Sequence, residues 1–404
     1  MQHLWVILEN IPSMLSQTST YSNRVFGLDL IRAGSILAVF VCHSNVLNPF
    51  YKEIPNLHLL GMGVEAFFVL SGFLIGRIIL KTMFNPVVTF RAIWIFWVNR
   101  WLRTLPAYFF VLAICIIHAA YFGKKLWLYV FFSQNLLTPQ HEFFPVSWSL
   151  AVEEWFYFTF PIILFSVFYL STNIYCKYRI FFGATLSLIF FGIASKVILY
   201  ALWQEGLVMS LINEGWLFPS WKTFALHGDW DNMRRMTVFR IDAIAYGCLT
   251  ALWVEKYGDN NQKYYLPLFI TGVVGFVISY WFLNNWVAAG KLNLFTDVFL
   301  LPLFCVSFAF MIPSASVYSI PNSNTFSKII THISLTSYSF YLVHVLIISV
   351  LIHSSDKLTT GNGFLMQTTI FLATFAIIYL SSYLMYVFIE SPFLRYRNSL
   401  QLKS

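Results

Sequence analysis

GLDLIRAGSILAVFVCH, residues 27–43, is an apolar run broken by three ionisable groups, and its reading decides the fold. Its length and its Leu, Ile, Val, Ala and Phe content suit a bilayer-crossing helix, which needs roughly 20 apolar residues. On a helix turning about 100° per residue, Arg32 and His43 differ by only roughly 20° in direction. Asp29 lies within about 60° of Arg32. One face therefore carries all three groups. Ionisable side chains are costly in a membrane, so this face must look into a bundle or a cavity. A plainer reading pairs Asp29 with Arg32 at the inner helix end and lets His43 snorkel at the outer end.

A bundle needs partner spans, and the composition supplies them. Of 404 residues, 58% are hydrophobic, 20% aromatic and only 10% charged. A soluble domain carries about 25% charged residues, so that class is excluded. Disorder needs low hydrophobicity and high charge, and is excluded too. What remains is an all-α, polytopic transmembrane helix bundle. Ten long apolar segments are read at 25–47, 59–80, 105–122, 147–170, 180–202, 237–255, 264–283, 294–312, 331–352 and 364–389. Leu126–Leu137 has only twelve residues, which suits a re-entrant or interfacial piece. No internal repeat is seen, and residues 1–404 are read as one membrane domain.

The net charge of +8 does not indicate nucleic acid, because no long basic run exists. It reads as loop lysines and arginines that set topology. With ten spans and the N-terminus inside, the inner loops hold fourteen basic residues and the outer loops eight. Ten spans with both termini cytoplasmic is therefore the expectation. The start, Met1 to Asn10, lacks a basic n-region, so the first span is expected to act as the insertion signal. The five cysteines lie in or beside apolar stretches without a CxxC pair. They read as small buried hydrophobes, and no metal site is expected.

Further polar groups interrupt other spans. GVEAFFVLSGFLIGR, residues 63–77, places Glu65 near the outer end and Arg77 near the inner end. Gly63, Gly72 and Gly76 there allow close helix approach. NRWLRTLP, residues 99–106, puts Arg100 and Arg103 three apart on one face, a suitable clamp for phosphates or anionic headgroups. WSLAVEEWFYFTFP, residues 148–161, sets Glu153 beside Glu154 in an aromatic run. Neighbours point about 100° apart, so at least one faces the protein interior. FRIDAIAYG, residues 239–247, adds Arg240 and Asp242. SYSFYLVH, residues 337–344, makes Tyr341 and His344 helical neighbours that could simply bond between helices. FIESPFLRYR, residues 388–397, reads as an acidic residue, a Pro stop and basic anchors.

These six segments from GLDLIR…H to SYSFYLVH, in this order, resemble the acyltransferase-3 family of integral membrane acyltransferases over nearly the whole chain. Asn99 departs from the pattern, standing where the family usually has a basic residue. The resemblance implies transfer of an acyl group, most often acetyl, from acyl-CoA to a hydroxyl, usually on a sugar of a cell-surface or exported glycan. It implies that His43, Glu153, Arg32, Arg100 and Arg103 are essential. Many relatives carry an extra esterase-like domain, and none is expected here. The expected setting is the bacterial cytoplasmic membrane.

With the charge count above, Arg77, Arg100 and Arg103 are expected at the cytoplasmic end, where acetyl-CoA or another acyl-CoA would dock. His43, Glu65, Glu153, Arg240 and Asp242 are expected toward the other end. His43 would act as base or as an acyl relay, oriented by Glu153, with Asp29 and Arg32 on the same helix completing the catalytic group. Glu65, Arg240, Asp242, Tyr341 and His344 are candidates to bind a glycan or lipid-linked sugar acceptor. So are Trp216 and Trp221 in the long outer loop 203–236, which carries tryptophans beside carboxylates. The rival class is a secondary transporter or flippase, which intramembrane charges also fit. It predicts inverted repeats, which are not seen.

Overall fold

The computed structural model describes residues 24–44, 47, 57–83, 88–118, 126–138, 143–170, 177–213, 230–288, 290, 293–321, 324–354 and 364–401. Trp216 and Trp221, and with them the middle of the 203–236 loop, lie outside the described residues. Among the described residues there is no strand, and ten helical segments are long and apolar enough to cross a membrane.

Their cores are α1 (Phe26–His43), α2 (Gly63–Ile78), α3 (Phe90–His118), α4 (Ser147–Leu170) and α5 (Lys177–Gln204). The second half comprises α6 (Asp242–Tyr257), α7 (Tyr265–Phe282), α8 (Leu300–Val317), α9 (Thr325–Ser354) and α10 (Phe364–Met385). The expected spans and the observed ones coincide, with two informative differences. The third span does not begin at 105. NRWLRTLP is continuous with it, and α3 runs unbroken from Phe90 through Pro106. A membrane helix tolerates an internal proline because neighbouring helices and side chains satisfy the freed backbone. The chain also does not stop at Pro392. A π-helical turn, Tyr386–Glu390, leads into a further helix, Ser391–Gln401. Pro392 sits in the first turn of that helix, where its missing N–H costs nothing.

The short segment after α3 is a helix, Leu126–Val130, followed by turns, as its length suggested. It is fastened beneath α4. Tyr108 donates to the Tyr129 carbonyl at 2.9 Å and Trp155 to the Phe132 carbonyl at 2.9 Å. Buried Asn135 donates to the carbonyls of Trp148 and Arg235. These bonds give its irregular backbone protein partners where it packs against the bundle.

The closest helix contact is α2 on α6. A methyl added to Gly72 would lie 1.9 Å from the Ile244 carbonyl oxygen, and one on Gly247 would lie 1.9 Å from that of Val69. The two backbones touch, and only glycine fits at either point. This contact fixes the position of α2, whose opposite face borders the site described next.

Candidate active site

Five of the six motifs converge on one cavity of about 130 Å³. Arg32 enters it from α1, Ser71 from α2, Arg100 and Arg103 from α3, Ser149 and Glu153 from α4, and Tyr338 and Tyr341 from α9. Val64, Phe67, Phe68 and Leu70 supply an apolar wall from α2. Because α3 is continuous, Arg100 and Arg103 stand ten and thirteen residues inside it, about 15 and 20 Å along the axis. They are therefore part of the third span's own helix and not of a separate segment before it. Both line the cavity, Arg100 half-buried and Arg103 with an exposed edge.

Neither Arg100 nor Arg103 forms an ion pair with a described carboxylate. The Arg100 guanidinium lies over the Tyr157 ring, 4.2 Å from its centroid, and its buried Nε has no hydrogen-bond partner among the described residues. Glu153 accepts from the Tyr157 hydroxyl at 2.8 Å. That hydroxyl has a single proton, so the Ser71 hydroxyl donates to Tyr157 in turn. Glu154 accepts from Thr104 at 2.9 Å and does not line the cavity. Of the adjacent pair, Glu153 is the cavity carboxylate. Tyr157 was not singled out from the sequence, although its i, i+4 spacing from Glu153 was a usable signal.

Arg32 is held loosely. Its Nη1 lies 3.9 Å from Asp29, while Arg24 makes the closer contact, with Nε 2.9 Å from the same carboxylate. Ser334 also donates to Asp29, at 2.7 Å. The expected Asp29–Arg32 pairing is present but secondary, and Asp29 is buried in a cluster with Arg24 and Ser334.

His43 stands at the far end of α1, eleven residues and about 16 Å from Arg32. Its expected partner was Glu153. Its observed side-chain partner is His344, with His43 Nδ1 and His344 Nε2 3.1 Å apart. The reason is depth: Glu153 sits among the arginines, while His344 lies one helical turn beyond Tyr341, at the level of His43. Tyr341 links the two levels. Its hydroxyl bonds Ser149 at 2.7 Å in the cavity, and its ring stands 5.6 Å from the His344 ring.

The remaining expected site residues lie elsewhere. Glu65, Arg240 and Asp242 are fully buried. Glu65 accepts from Arg240 and, at 3.3 Å, from Arg234. Asp242 accepts from Lys196 of α5 at 2.7 Å. None of the three lines the cavity. Arg77 pairs with Glu255 at 3.4 Å, as does Lys81, and is not a lining residue either.

The sequence family described as an acyltransferase domain matches residues 25–387. A protein of Staphylococcus aureus (strain COL), provisionally named an O-acetyltransferase, is 25% identical over 401 residues, or 91% of this chain and 57% of that protein. A Bacillus subtilis protein provisionally named a peptidoglycan O-acetyltransferase is 30% identical over 183 residues, or 40% of this chain and 26% of its own length. The peptidoglycan O-acetyltransferase OatA of Listeria monocytogenes is 27% identical over 171 residues, or 37% of this chain and 26% of OatA. The chain thus spans little more than half the length of the staphylococcal relative. No solved structure matches it.

Proposed function

Because the chain belongs to the acyltransferase-3 family, we propose that it transfers an acyl group, most simply acetyl, from cytoplasmic acyl-CoA to a hydroxyl of a cell-surface or exported glycan. It would work from the bacterial cytoplasmic membrane with both termini inside. Relatives named for peptidoglycan make that polymer the first acceptor to test.

The observation that carries this reading is the cavity itself. It joins three arginines to an apolar wall and ends at Tyr341, beside the His43–His344 pair. A volume of about 130 Å³ suits a thin chain, not a nucleotide. The pantetheine arm would thread along Phe67 and Phe68, with CoA phosphates drawn to Arg100, Arg103 and Arg32 and the adenosine left at the mouth. Guanidiniums recognise phosphate through bidentate, charge-assisted bonds. The thioester would then lie near His43, which is exposed at the far end of α1 from Arg32.

His43 takes the proton of the acceptor hydroxyl as its oxygen attacks the thioester carbonyl. The tetrahedral intermediate collapses, the C–S bond breaks, and the CoA thiolate leaves with the proton that imidazolium returns. Transfer of the acyl group to the imidazole and then to the acceptor is the covalent form of the same chemistry. Glu153, with Tyr157 and Ser71, orients Arg100 and does not touch the imidazole.

The test uses purified protein in detergent, radiolabelled acetyl-CoA and a cell-wall glycan extract. CoA release that needs both extract and His43 is the expected result. Label retained on wild-type protein but not on His43→Ala selects the covalent form. Undiminished release by His43→Ala would overturn the assignment.

A further inference from the structure

We propose that His344 is a positioning residue, which holds His43 in the tautomer that leaves Nε2 free as the base. This rests on the acyl-transfer reading of His43. Two carbonyls decide the protons. His344 Nδ1 lies 2.7 Å from the Tyr341 carbonyl oxygen, so it carries hydrogen and donates. The neutral ring then has only a lone pair at Nε2. That lone pair faces His43 Nδ1, which also lies 3.0 Å from the Val39 carbonyl oxygen. Were His43 Nδ1 unprotonated, it would meet the carbonyl lone pair with its own. It therefore carries hydrogen, shared between Val39 and His344, and Nε2 is left with the basic lone pair. When His43 accepts a proton during transfer, His344 Nε2 remains aligned to accept from the imidazolium. Complete burial of His344 fixes the geometry.

The test combines 15N NMR of histidine-labelled protein with steady-state kinetics on His344→Phe and His344→Gln. In the wild type His43, identified by its loss in His43→Ala, should show a protonated Nδ1 and an unprotonated Nε2. His344→Phe should mix the tautomers and lower kcat about tenfold or more, with KM for acetyl-CoA unchanged. His344→Gln, whose amide oxygen can still accept, should recover most of kcat. A wild-type His43 protonated at Nε2, or a His344→Phe variant with normal tautomer and kcat, would overturn the proposal. Absence of CoA release by every form, with the expected tautomer intact, would count instead against the acyl-transfer reading.

A second cavity carries an independent inference. It measures about 860 Å³ and lies between the ends of α5, α6, α7 and α8. Phe182, Leu249 and Phe310 form its apolar body, and Arg179 and Lys256 stand at its edge without a carboxylate in the lining. The Lys256 ammonium rests over Tyr257, 4.7 Å from the ring centroid, and Arg179 forms no ion pair with a described carboxylate. We infer that this cleft binds an anionic phospholipid, with acyl chains in the apolar body and phosphate against the two cations. A zwitterionic lipid would leave their net charge unmatched. Melting temperature in detergent should rise with added phosphatidylglycerol but not phosphatidylcholine. The difference should vanish in Arg179→Gln/Lys256→Gln and persist in the control Arg91→Gln. An equal response to both lipids, or an undiminished one in the double variant, would overturn the site.

Discussion

Two regions of the bundle hold most of its intramembrane charge, and they handle it in opposite ways. Between α2, α5 and α6, each carboxylate has its cation: Glu65 meets Arg240 and Arg234, and Asp242 meets Lys196. All the bonds run between elements, and Glu65, Arg240 and Asp242 have no exposed surface. In the cavity, by contrast, Arg100 and Arg103 lack ion-pair partners among the described residues and Arg32 has a distant one. Matched charges lock helices together, whereas unmatched ones leave capacity for a ligand. Ionisable residues in a span are functional candidates by default, but the count of ion-pair partners separates a lock from a site. Single atoms without a described hydrogen-bond partner occur in both, Arg240 Nε and Nη1 in the lock and Arg100 Nε in the cavity.

The strongest way to break this comparison is to unmatch the lock. Arg240→Ala would strand Glu65 beside Arg234 alone, and breaking a buried pair typically costs about 3–5 kcal/mol. Little folded protein should survive detergent extraction, as read by size-exclusion profile. Replacing both partners, Glu65→Gln with Arg240→Met, removes charge on both sides and should restore a monodisperse peak. If that double variant folds but cannot bind or turn over substrate, the lock is part of the site after all.

Next in size is the converse experiment. Arg100→Ala should lower melting temperature far less than Arg240→Ala, because Arg100 is bonded to no described carboxylate, although Glu153 and Glu154 lose a nearby cation. It should raise KM for acetyl-CoA roughly 10- to 100-fold, the scale of one charged hydrogen bond worth about 1.5–3 kcal/mol. A large fall in stability with unchanged KM would make Arg100 a second lock. A smaller effect is expected from Gly72→Ala, whose methyl would meet the Ile244 carbonyl. Forcing α2 from α6 should cost about 1–3 kcal/mol, visible as a lower melting temperature before any change in KM.

How much of this was legible beforehand follows from what each property depends on. Span positions depend on local apolar content, and the observed helices lie where the apolar runs do. The face shared by Asp29, Arg32 and His43 follows from helical pitch alone. Which partner each polar group takes depends on the depth and rotation of other helices, which local sequence does not encode. His43 and His344 are 301 positions apart, and nothing near either distinguishes Glu153 from His344 as the partner. Glu65, Arg240 and Asp242 were read as acceptor contacts because their burial depends on the α2–α6 crossing. The continuity of the Arg100–Arg103 helix with the following span was missed for a local reason. Pro106 was taken as a boundary, where the packed bundle carries the helix through it.

Arg77 tests the comparison at its weakest point, because it belongs cleanly to neither region. The charge count placed it with the donor-binding arginines. The structure gives it a carboxylate, Glu255, at 3.4 Å, shared with Lys81. Its side chain is one-third exposed, and Glu255 one-fifth. Such a pair is screened by solvent and contributes only about 0–1 kcal/mol. If partner count is the right criterion, Arg77 is neither lock nor ligand contact. Arg77→Gln should then shift melting temperature by no more than a few degrees and KM for acetyl-CoA by less than about twofold, since Lys81 still serves Glu255. A KM rise approaching that of Arg100→Ala would show that a bound phosphate competes Arg77 away from Glu255. The cation would then be matched in the free protein and released by the donor, and the criterion would need to count exchangeable partners apart from permanent ones.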